Sequence, residues 1–485
     1  MNIFDLIDFH AKTRPYDIAL IHPRGTLTYA NLRSVIADVS LKLRSRGIRP
    51  GSTVAIYVTD PFLHMALMLG LMLNGVRSVS AHPNYDAMPA TLPVDTYLSD
   101  REQIPSCGNV QMVVVDDSWL SVGAQPLSFP KEKGFADSNA ICRIFTSSGT
   151  TGVPKAIGHT SEGLQRMAMM RLSRDTDFMS GPAMSMMAVA SIGGFNTVYH
   201  AFWAGVCLVM ATDILQTLRA INLYRVRTLV ASPVQVQGMV GMLQGRGTHF
   251  PSLCRLYVGG SVLPAPVALA ARILLSQNIT NTYGATEIAG GAFTATATLL
   301  ASKPNAAGYM QPDVQLKLLD ESGQEVQPGS EGIVHLRTPV MASGYIGDPQ
   351  ATAECFVDGW FRPGDLGVWN DDGVLLITGR LGEMINAGGV KVSPQLVDDF
   401  LLSQPGVKDA AAFAARLPGG VEQVWAAIVV DPQFDDESLR QAAIRKLNAR
   451  APVRLVRVSE LPRNAMGKVM RHQLAQSIDQ TPSMH

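Results

Sequence analysis

Between Thr146 and Lys155 the chain reads TSSGTTGVPK: two glycines, five hydroxyl side chains and a single cation in ten residues. Side chains this small let successive backbone N–H groups point into one concavity, and such concavities hold phosphate oxygens. The hydroxyls of Thr146, Ser147, Ser148, Thr150 and Thr151 add further donors. Gly149 and Gly152 leave the backbone uncovered, and Lys155 supplies a point charge suited to a polyphosphate. The spacing departs from the G-x-x-x-x-G-K-[ST] loop of common nucleotide hydrolases, because Pro154 precedes the lysine and Ala156 follows it. Pro154 also turns Val153 away from helical geometry, so no helix should run through Gly152 to Pro154. Taken alone, the same composition also suits a flexible glycine-serine linker.

A phosphate cradle needs a rigid support, and the neighbouring residues supply one. The apolar run CRIFT (142–146) ends where the loop begins, placing it at a strand end, the edge at which open α/β sheets bind ligands. Further runs of buried-strand length, VCLVMA (206–211), RTLVAS (227–232) and RLYVGG (255–260), alternate with helix-like stretches such as ILQTLRAINLY (214–224). That is the pattern of a mostly parallel sheet covered by helices. After residue 308 the texture changes. VQLKLLD and GIVHLRT flank Glu321-Ser322-Gly323, while LGVWN and VLLITGR flank Asp371-Asp372-Gly373. Polar Gly turns between alternating apolar runs predict hairpins, and with them a small antiparallel, barrel-like subdomain. Beyond Arg380 the segments LVDDFLLSQ, AAFAAR, VWAAIVVD and ESLRQAAIRKLNAR read as helix, strand, strand and helix, followed by a polar tail. The expected fold class is α/β, with a large N-terminal domain of helix-covered sheets (residues 1–381) and a small mobile α/β C-terminal domain (382–485). The boundary falls at Leu381-Gly382, where glycine permits large backbone rotation.

Composition excludes several classes of partner. The 485 residues exceed what one hydrophobic core usually supports. Forty basic residues balance forty acidic ones, so no global field draws nucleic acid or an anionic membrane. The five cysteines are scattered without a C-x-x-C pair, as expected of thiols in a reducing cytoplasm. The opening MNIFDLIDFHAKTRP mixes acids, His10 and Lys12 among its apolar residues and lacks a secretory layout. FLHMALMLGLML (62–73) is too short to span a bilayer and contains His64, so it is expected to be a buried helix. A cytoplasmic protein with no membrane span and no nucleic-acid partner is therefore expected; the oligomeric state is not legible.

Further segments in a fixed order give the loop a sharper meaning. LTYANLRS (27–34), LGLMLNGVRSVSAHPNYD (69–86), VGGSVL (258–263), TYGATE (282–287), GWFRPGDLG with VLLITGRLGEMINAGGVKVSP (359–394) and LPRNAMGKVMR (461–471) span nearly the whole chain. Together with the loop they resemble the adenylate-forming superfamily of acyl-CoA and aryl-CoA synthetases, carrier-protein-loading adenylation domains and firefly-type luciferases. In kind the chain is most similar to an AMP-forming acyl-CoA synthetase.

The resemblance implies an enzyme that joins a small-molecule carboxylic acid to ATP with Mg²⁺, releases pyrophosphate, and passes the acyl group to a thiol. That thiol belongs to coenzyme A, or to the phosphopantetheine arm of a separate acyl carrier protein. Two anions must meet in the first step, so positive charge and oriented donors have to sit where negative charge accumulates. By resemblance, the Thr146–Lys155 loop cradles the β- and γ-phosphates, Thr286 touches the α-phosphate and Glu287 holds Mg²⁺. Gly259, Gly260 and Ser261 lie against the adenine and acyl group, and Tyr283, followed by Gly284, offers adenine a flat face. Asp365 accepts from the ribose hydroxyls and Arg380 bonds the same sugar. Lys468 bridges the substrate carboxylate and the α-phosphate. A rotation of the small domain then withdraws Lys468 and brings in Glu383 to Pro394, where Gly388-Gly389 allow a pantetheine chain to approach. Read as residues alone, Glu287 could be a solvated loop acid and Asp365 a turn residue after Pro363-Gly364. Lys468 could likewise be a surface lysine, since Arg440 to Arg471 carries nine basic residues and one acid. The functional reading of that basic cluster is attraction to the phosphates of the thiol donor.

Several positions depart from the pattern. Gly382 stands where aspartate or lysine is common, Pro363 where threonine is usual and Gln395 where glutamate is usual. Pro182 is followed by AMSMMAVASIGGF, with no histidine. No aspartate occurs between Phe178 and Thr212 to pair an α-amino group, and an unpaired ammonium in so apolar a pocket would be costly. An uncharged, largely apolar acid is therefore expected. A reading of another class, a non-catalytic nucleotide-binding relative, has the retained Lys155, Glu287 and Lys468 against it.

Overall fold

The computed structural model of the protein describes residues 2–81, 88–89, 91–102, 110–121, 123, 127–147, 154–175, 178–246, 250–387, 389–416, 422–463 and 468–479. Two sheets build the large domain. One has, among the described residues, six strands in the order Gln111–Val114, Thr96–Ser99, Thr53–Tyr57, Arg77–Ser80, Ile141–Ser147 and Lys155–Thr160. All its pairings are parallel except the last. Thr53–Tyr57 is buried at every residue, as expected of a parallel strand covered on both faces. The run that resembled a membrane segment is the helix Pro61–Leu73, buried everywhere but at Pro61. Asp60 caps its Leu63 N–H, and proline stands in the first turn where its missing N–H costs nothing. No helix among the described residues is long and apolar enough to cross a membrane.

The second sheet counts 15 strands among the described residues. Its parallel part runs through Ile18–His22, Leu208–Val209, Ala183–Ser185, Thr228–Ala231, Arg255–Gly259 and Ile279–Ala285. The antiparallel strands expected after residue 308 are present. Gln315–Leu319 pairs with Glu331–Arg337, and Asp365–Trp369 pairs with Val374–Arg380. They continue the same sheet, joined to the parallel strands through Gly290–Thr296 and Ala306–Met310.

After a short helical turn at Leu381–Glu383, the C-terminal region forms its own layered unit. Val407–Arg416, Glu422–Val430 and Arg454–Arg457 make a three-stranded sheet. Alternation sends Ala410, Ala412, Ala426 and Ile428 to one face, under the helices Pro394–Leu402 and Asp436–Leu447. Ala411, Phe413, Ala415 and Ala427 go to the other face, covered by Leu474 and Ile478 of the helix Arg471–Asp479. The expected polar tail thus contributes a strand and a helix to the fold.

Candidate functional site

The parallel strands of both sheets end at one cavity of about 570 Å³. Arg255–Gly259 delivers Gly259 and Gly260 to its wall, Ile279–Ala285 delivers Thr282, Gly284 and Thr286, and Ile141–Ser147 delivers Thr146. This is the strand edge where α/β sheets bind ligands. The local backbone depends on glycine. A Cβ on Gly284 would lie 2.0 Å from the Gly290 carbonyl oxygen, and Gly260 has φ +96°. Close pairing of Gly284 with Gly291 lets the chain turn sharply into Thr286.

Thr286 is fixed from behind. His159, buried in the strand Lys155–Thr160, bonds the Thr286 carbonyl through Nε2 at 2.8 Å, and burial pulls its pKa down to about 4. The imidazole is therefore neutral at pH 7 and donates from Nε2. Glu287 follows Thr286 and is buried, and Tyr345 donates its hydroxyl to Oε1 at 2.8 Å. Burial raises the Glu287 pKa, opposed by the Tyr345 bond and by the charges of Lys155 and Arg380. The Lys155 ammonium lies 4.7 Å from the centre of the Tyr345 ring. Ser147 and Lys155 are register partners of the antiparallel pair Ile141–Ser147 and Lys155–Thr160.

A second cluster stands on the antiparallel strands. Asp365 and Arg380 are cross-strand partners, and Arg380 Nε donates to Asp365 Oδ1 at 2.5 Å. Burial opposes the Arg380 charge, but the Asp365 carboxylate outweighs it and the pKa is raised. Tyr283 donates its hydroxyl to Asp365 Oδ2 at 2.5 Å and meets Phe293 edge-on. Lys468 comes from the far end of the chain to join this group. Its ammonium donates to Glu383 Oε1 at 3.1 Å, and the charges of Arg380 and Asp365 act on it. Burial and Arg380 lower the Lys468 pKa, and Glu383 partly offsets them. Arg471 completes the anchor, reaching Glu383, the buried Asp398 (2.6 Å) and the Ala412 carbonyl (2.6 Å).

Of the residues singled out in sequence, Thr146, Gly259, Gly260, Gly284 and Thr286 line the cavity, while Tyr283, Asp365, Arg380 and Lys468 form a cluster outside its lining. Ser148, Gly149, Thr150, Thr151, Gly152 and Gly388 lie outside the described residues. Ser261 follows the glycine pair without lining the cavity. Gly389 is exposed at φ +91° at the tip of the hairpin Ile385–Ala387 to Val390–Val392, apart from the cavity lining. His159, Tyr345 and His200, which lines the cavity, were not singled out; a lone histidine in KAIGHT or a tyrosine in SGYIGD carries no spacing signal. The departures also have local accounts. Pro363 still offers its carbonyl to Arg380 Nη2 at 3.4 Å, and Gln395 bonds Asp399 at 2.7 Å. At Gly382 an added Cβ would meet nothing within 4 Å, so no packing requires glycine there.

A lone carboxylate such as Glu287 does not make a metal cage, and no group of three or more His, Cys, Asp or Glu side chains suited to a metal occurs among the described residues. That donor set fits Mg²⁺, which keeps several waters and binds through one or two carboxylates plus phosphate oxygens.

Known proteins bear on this geometry. A 2-succinylbenzoate–CoA ligase of Bacillus licheniformis is 26% identical, over 96% of this chain and 98% of its own. A fatty acid–[acyl-carrier-protein] ligase of Streptomyces coeruleorubidus is 27% identical, over 96% and 94%. The o-succinylbenzoate CoA synthetase of Bacillus subtilis, solved with its acyl-adenylate, shares the fold with a TM-score of 0.83 at 22% identity, over 97% of both chains. The sequence pattern of the AMP-binding enzymes matches residues 7–346, and the chain belongs to that family.

Proposed function

We propose that this protein is an acid–thiol ligase that uses ATP and Mg²⁺ to convert a carboxylic acid with no charge beyond its reacting carboxylate into an acyl-adenylate and then into a coenzyme A thioester. The observation that carries the reading is the meeting of Lys468 with the Asp365–Arg380 pair beside a cavity walled by Thr286, Gly259 and Gly260. The relatives support it, since they include ligases named for coenzyme A thioesters of 2-succinylbenzoate and 4-chlorobenzoate.

In the first step a carboxylate oxygen of the acid attacks the α-phosphorus of ATP. An O–P bond forms, the bond to the bridging oxygen breaks, and pyrophosphate leaves. The segment from Thr146 through Ser147 to Lys155 holds the β- and γ-phosphates, and the Thr286 hydroxyl meets the α-phosphate. His159 keeps Thr286 in place by bonding its carbonyl. Asp365 keeps lone pairs free beyond those used by Tyr283 and Arg380, and these accept the ribose hydroxyls. Tyr283 and Gly284 border the adenine with Gly259, Gly260 and Ser261. Lys468 neutralises the two anions as they meet. Glu287 would hold Mg²⁺, which supplies charge neutralisation for the triphosphate.

In the second step a thiol gives its proton to solvent, its sulfur bonds the acyl carbon, the bond from that carbon to the phosphate oxygen breaks, and AMP leaves. Lys468 must withdraw for the thiol to enter. Its bond to Glu383 lies next to the Leu381–Glu383 turn, and Gly382 there permits the rotation that would carry the Gly388-Gly389 hairpin inward. The relative from Streptomyces coeruleorubidus favours a second acceptor, the phosphopantetheine arm of a separate acyl carrier protein.

The test is carboxylate-dependent exchange of labelled pyrophosphate into ATP over a panel of fatty, aromatic and short-chain acids. Coenzyme A and a loaded-arm carrier protein are then offered separately. Exchange with at least one acid and thioester formed on coenzyme A is the expected result; no exchange with any acid would remove the proposal.

A further inference from the structure

Much of the cavity wall is apolar, with Met167, Met170, Met186, Met187, Phe178 and Ile192 on it. The helix Ile192–Ala204 turns one face to it, through Ile192, Gly193, Asn196, Thr197 and His200. Along that face Asn196 donates to the Ala289 carbonyl at 3.2 Å, beside the Thr286 segment. His200 sits one turn further, about 6 Å along the helix axis. Thr197 is spent on the Gly193 carbonyl at 2.9 Å. His200 is not: it is buried against the edge of Phe178, and its Nε2 has no hydrogen-bond partner. The Asn196 Oδ1 is likewise unpaired.

The charges on the same wall are already neutralised. Arg171 pairs with Asp175 at 3.1 Å and stacks 4.2 Å over Tyr257, and Arg174 pairs with Asp313 at 3.3 Å. Burial, helped by Arg171, pulls the His200 pKa down to about 3, so the ring is neutral and can donate or accept. Among the described residues of this wall, a second carboxylate on the substrate would find no unpaired cation. A pure hydrocarbon would leave a buried imidazole nitrogen unmet, which is costly. An uncharged oxygen substituent removes that cost.

Resting on the ligase reading above, we propose that His200 is a specificity-determining residue. It hydrogen-bonds an uncharged hydroxyl or carbonyl group at the end of the acid remote from the reacting carboxylate. The acid is then largely apolar, as its cavity is, with one polar point about a helical turn from the Asn196 level.

The test is pyrophosphate release by the full-length protein with matched acids: benzoate and 4-hydroxybenzoate, cinnamate and 4-hydroxycinnamate, hexanoate, 6-hydroxyhexanoate and the dicarboxylate adipate. The wild type should favour the hydroxylated member of its best pair by about 10- to 100-fold in kcat/KM. His200→Leu should erase that preference mainly through KM, while keeping or improving activity on the unsubstituted acid. His200→Gln, which can still hydrogen-bond, should restore part of it. His200→Leu removes an unmet polar atom, so its melting temperature should match or exceed that of the wild type. The proposal is overturned if the wild type prefers the unsubstituted or dicarboxylic acid, or if His200→Leu slows both members of a pair equally. If no acid releases pyrophosphate with any variant, the ligase reading itself fails.

Discussion

The hydrogen bond from His159 to the Thr286 carbonyl can be tested through pH. Burial lowers the His159 pKa to about 4, against 6.5 for a free side chain. The unfolded chain therefore binds more protons than the folded one between these values. The stability that depends on a neutral His159 is complete above the unfolded pKa and is lost as pH falls through 6.5 toward 4. At about pH 5 the loss comes to about 2 kcal/mol, from about 1.5 units at about 1.4 kcal/mol each. His159→Gln keeps an amide donor for the carbonyl and cannot titrate. Urea unfolding at about pH 7.5 and about pH 5, followed by both fluorescence and circular dichroism because the chain has two domains, measures each stability. The wild-type advantage over His159→Gln should shrink by about 2 kcal/mol on acidification. The neutral His200 titrates in both proteins, so it cancels in the difference. Parallel pH profiles for the two proteins would refute the reasoning.

Other outcomes follow from the same geometry. Gly284→Ala should destabilise the large domain by about 3 kcal/mol, because its Cβ would meet the rigid Gly290 carbonyl, and urea midpoints report it. Gly382→Ala, with nothing near its Cβ, should change the unfolding free energy by about 0.5 kcal/mol or less; a larger effect would mean the turn packs more tightly than it does here. Asp365→Asn should raise the KM for ATP in pyrophosphate exchange by about 10- to 100-fold while the KM for the acid moves by about twofold or less. An equal rise in both would contradict a ribose role.

Much of the fold could be read in advance because its strands are short apolar runs and its hairpins carry polar Gly turns. RTLVAS and RLYVGG became Thr228–Ala231 and Arg255–Gly259, adjacent and parallel. VCLVMA yielded only Leu208–Val209, because Val206 N–H is taken by the preceding helix at the Ala201 carbonyl. The helix Arg471–Asp479 escaped notice because Leu474, Ala475 and Ile478 give it only a short apolar face. Residues inside named motifs could be picked out in advance; of these Thr286 lines the cavity, while Asp365, Arg380 and Lys468 interact in a cluster outside its lining. Residues that act through distant partners could not be picked out. His159 meets a carbonyl 127 residues away and Tyr345 a carboxylate 58 residues away, and no local pattern encodes such pairings. The expectation of a largely apolar acid passed over His200, whose significance depends on which helix face turns to the cavity.

The account rests on Lys468 serving the first chemical step and not the second. With the acid identified by pyrophosphate exchange, Lys468→Ala can be assayed for adenylate formation and, separately, for thioester formation from the synthetic acyl-adenylate and coenzyme A. Adenylate formation should fall by about 100-fold or more, while thioester formation from the preformed adenylate stays within a few-fold of the wild type. An equal loss in both assays would contradict the account.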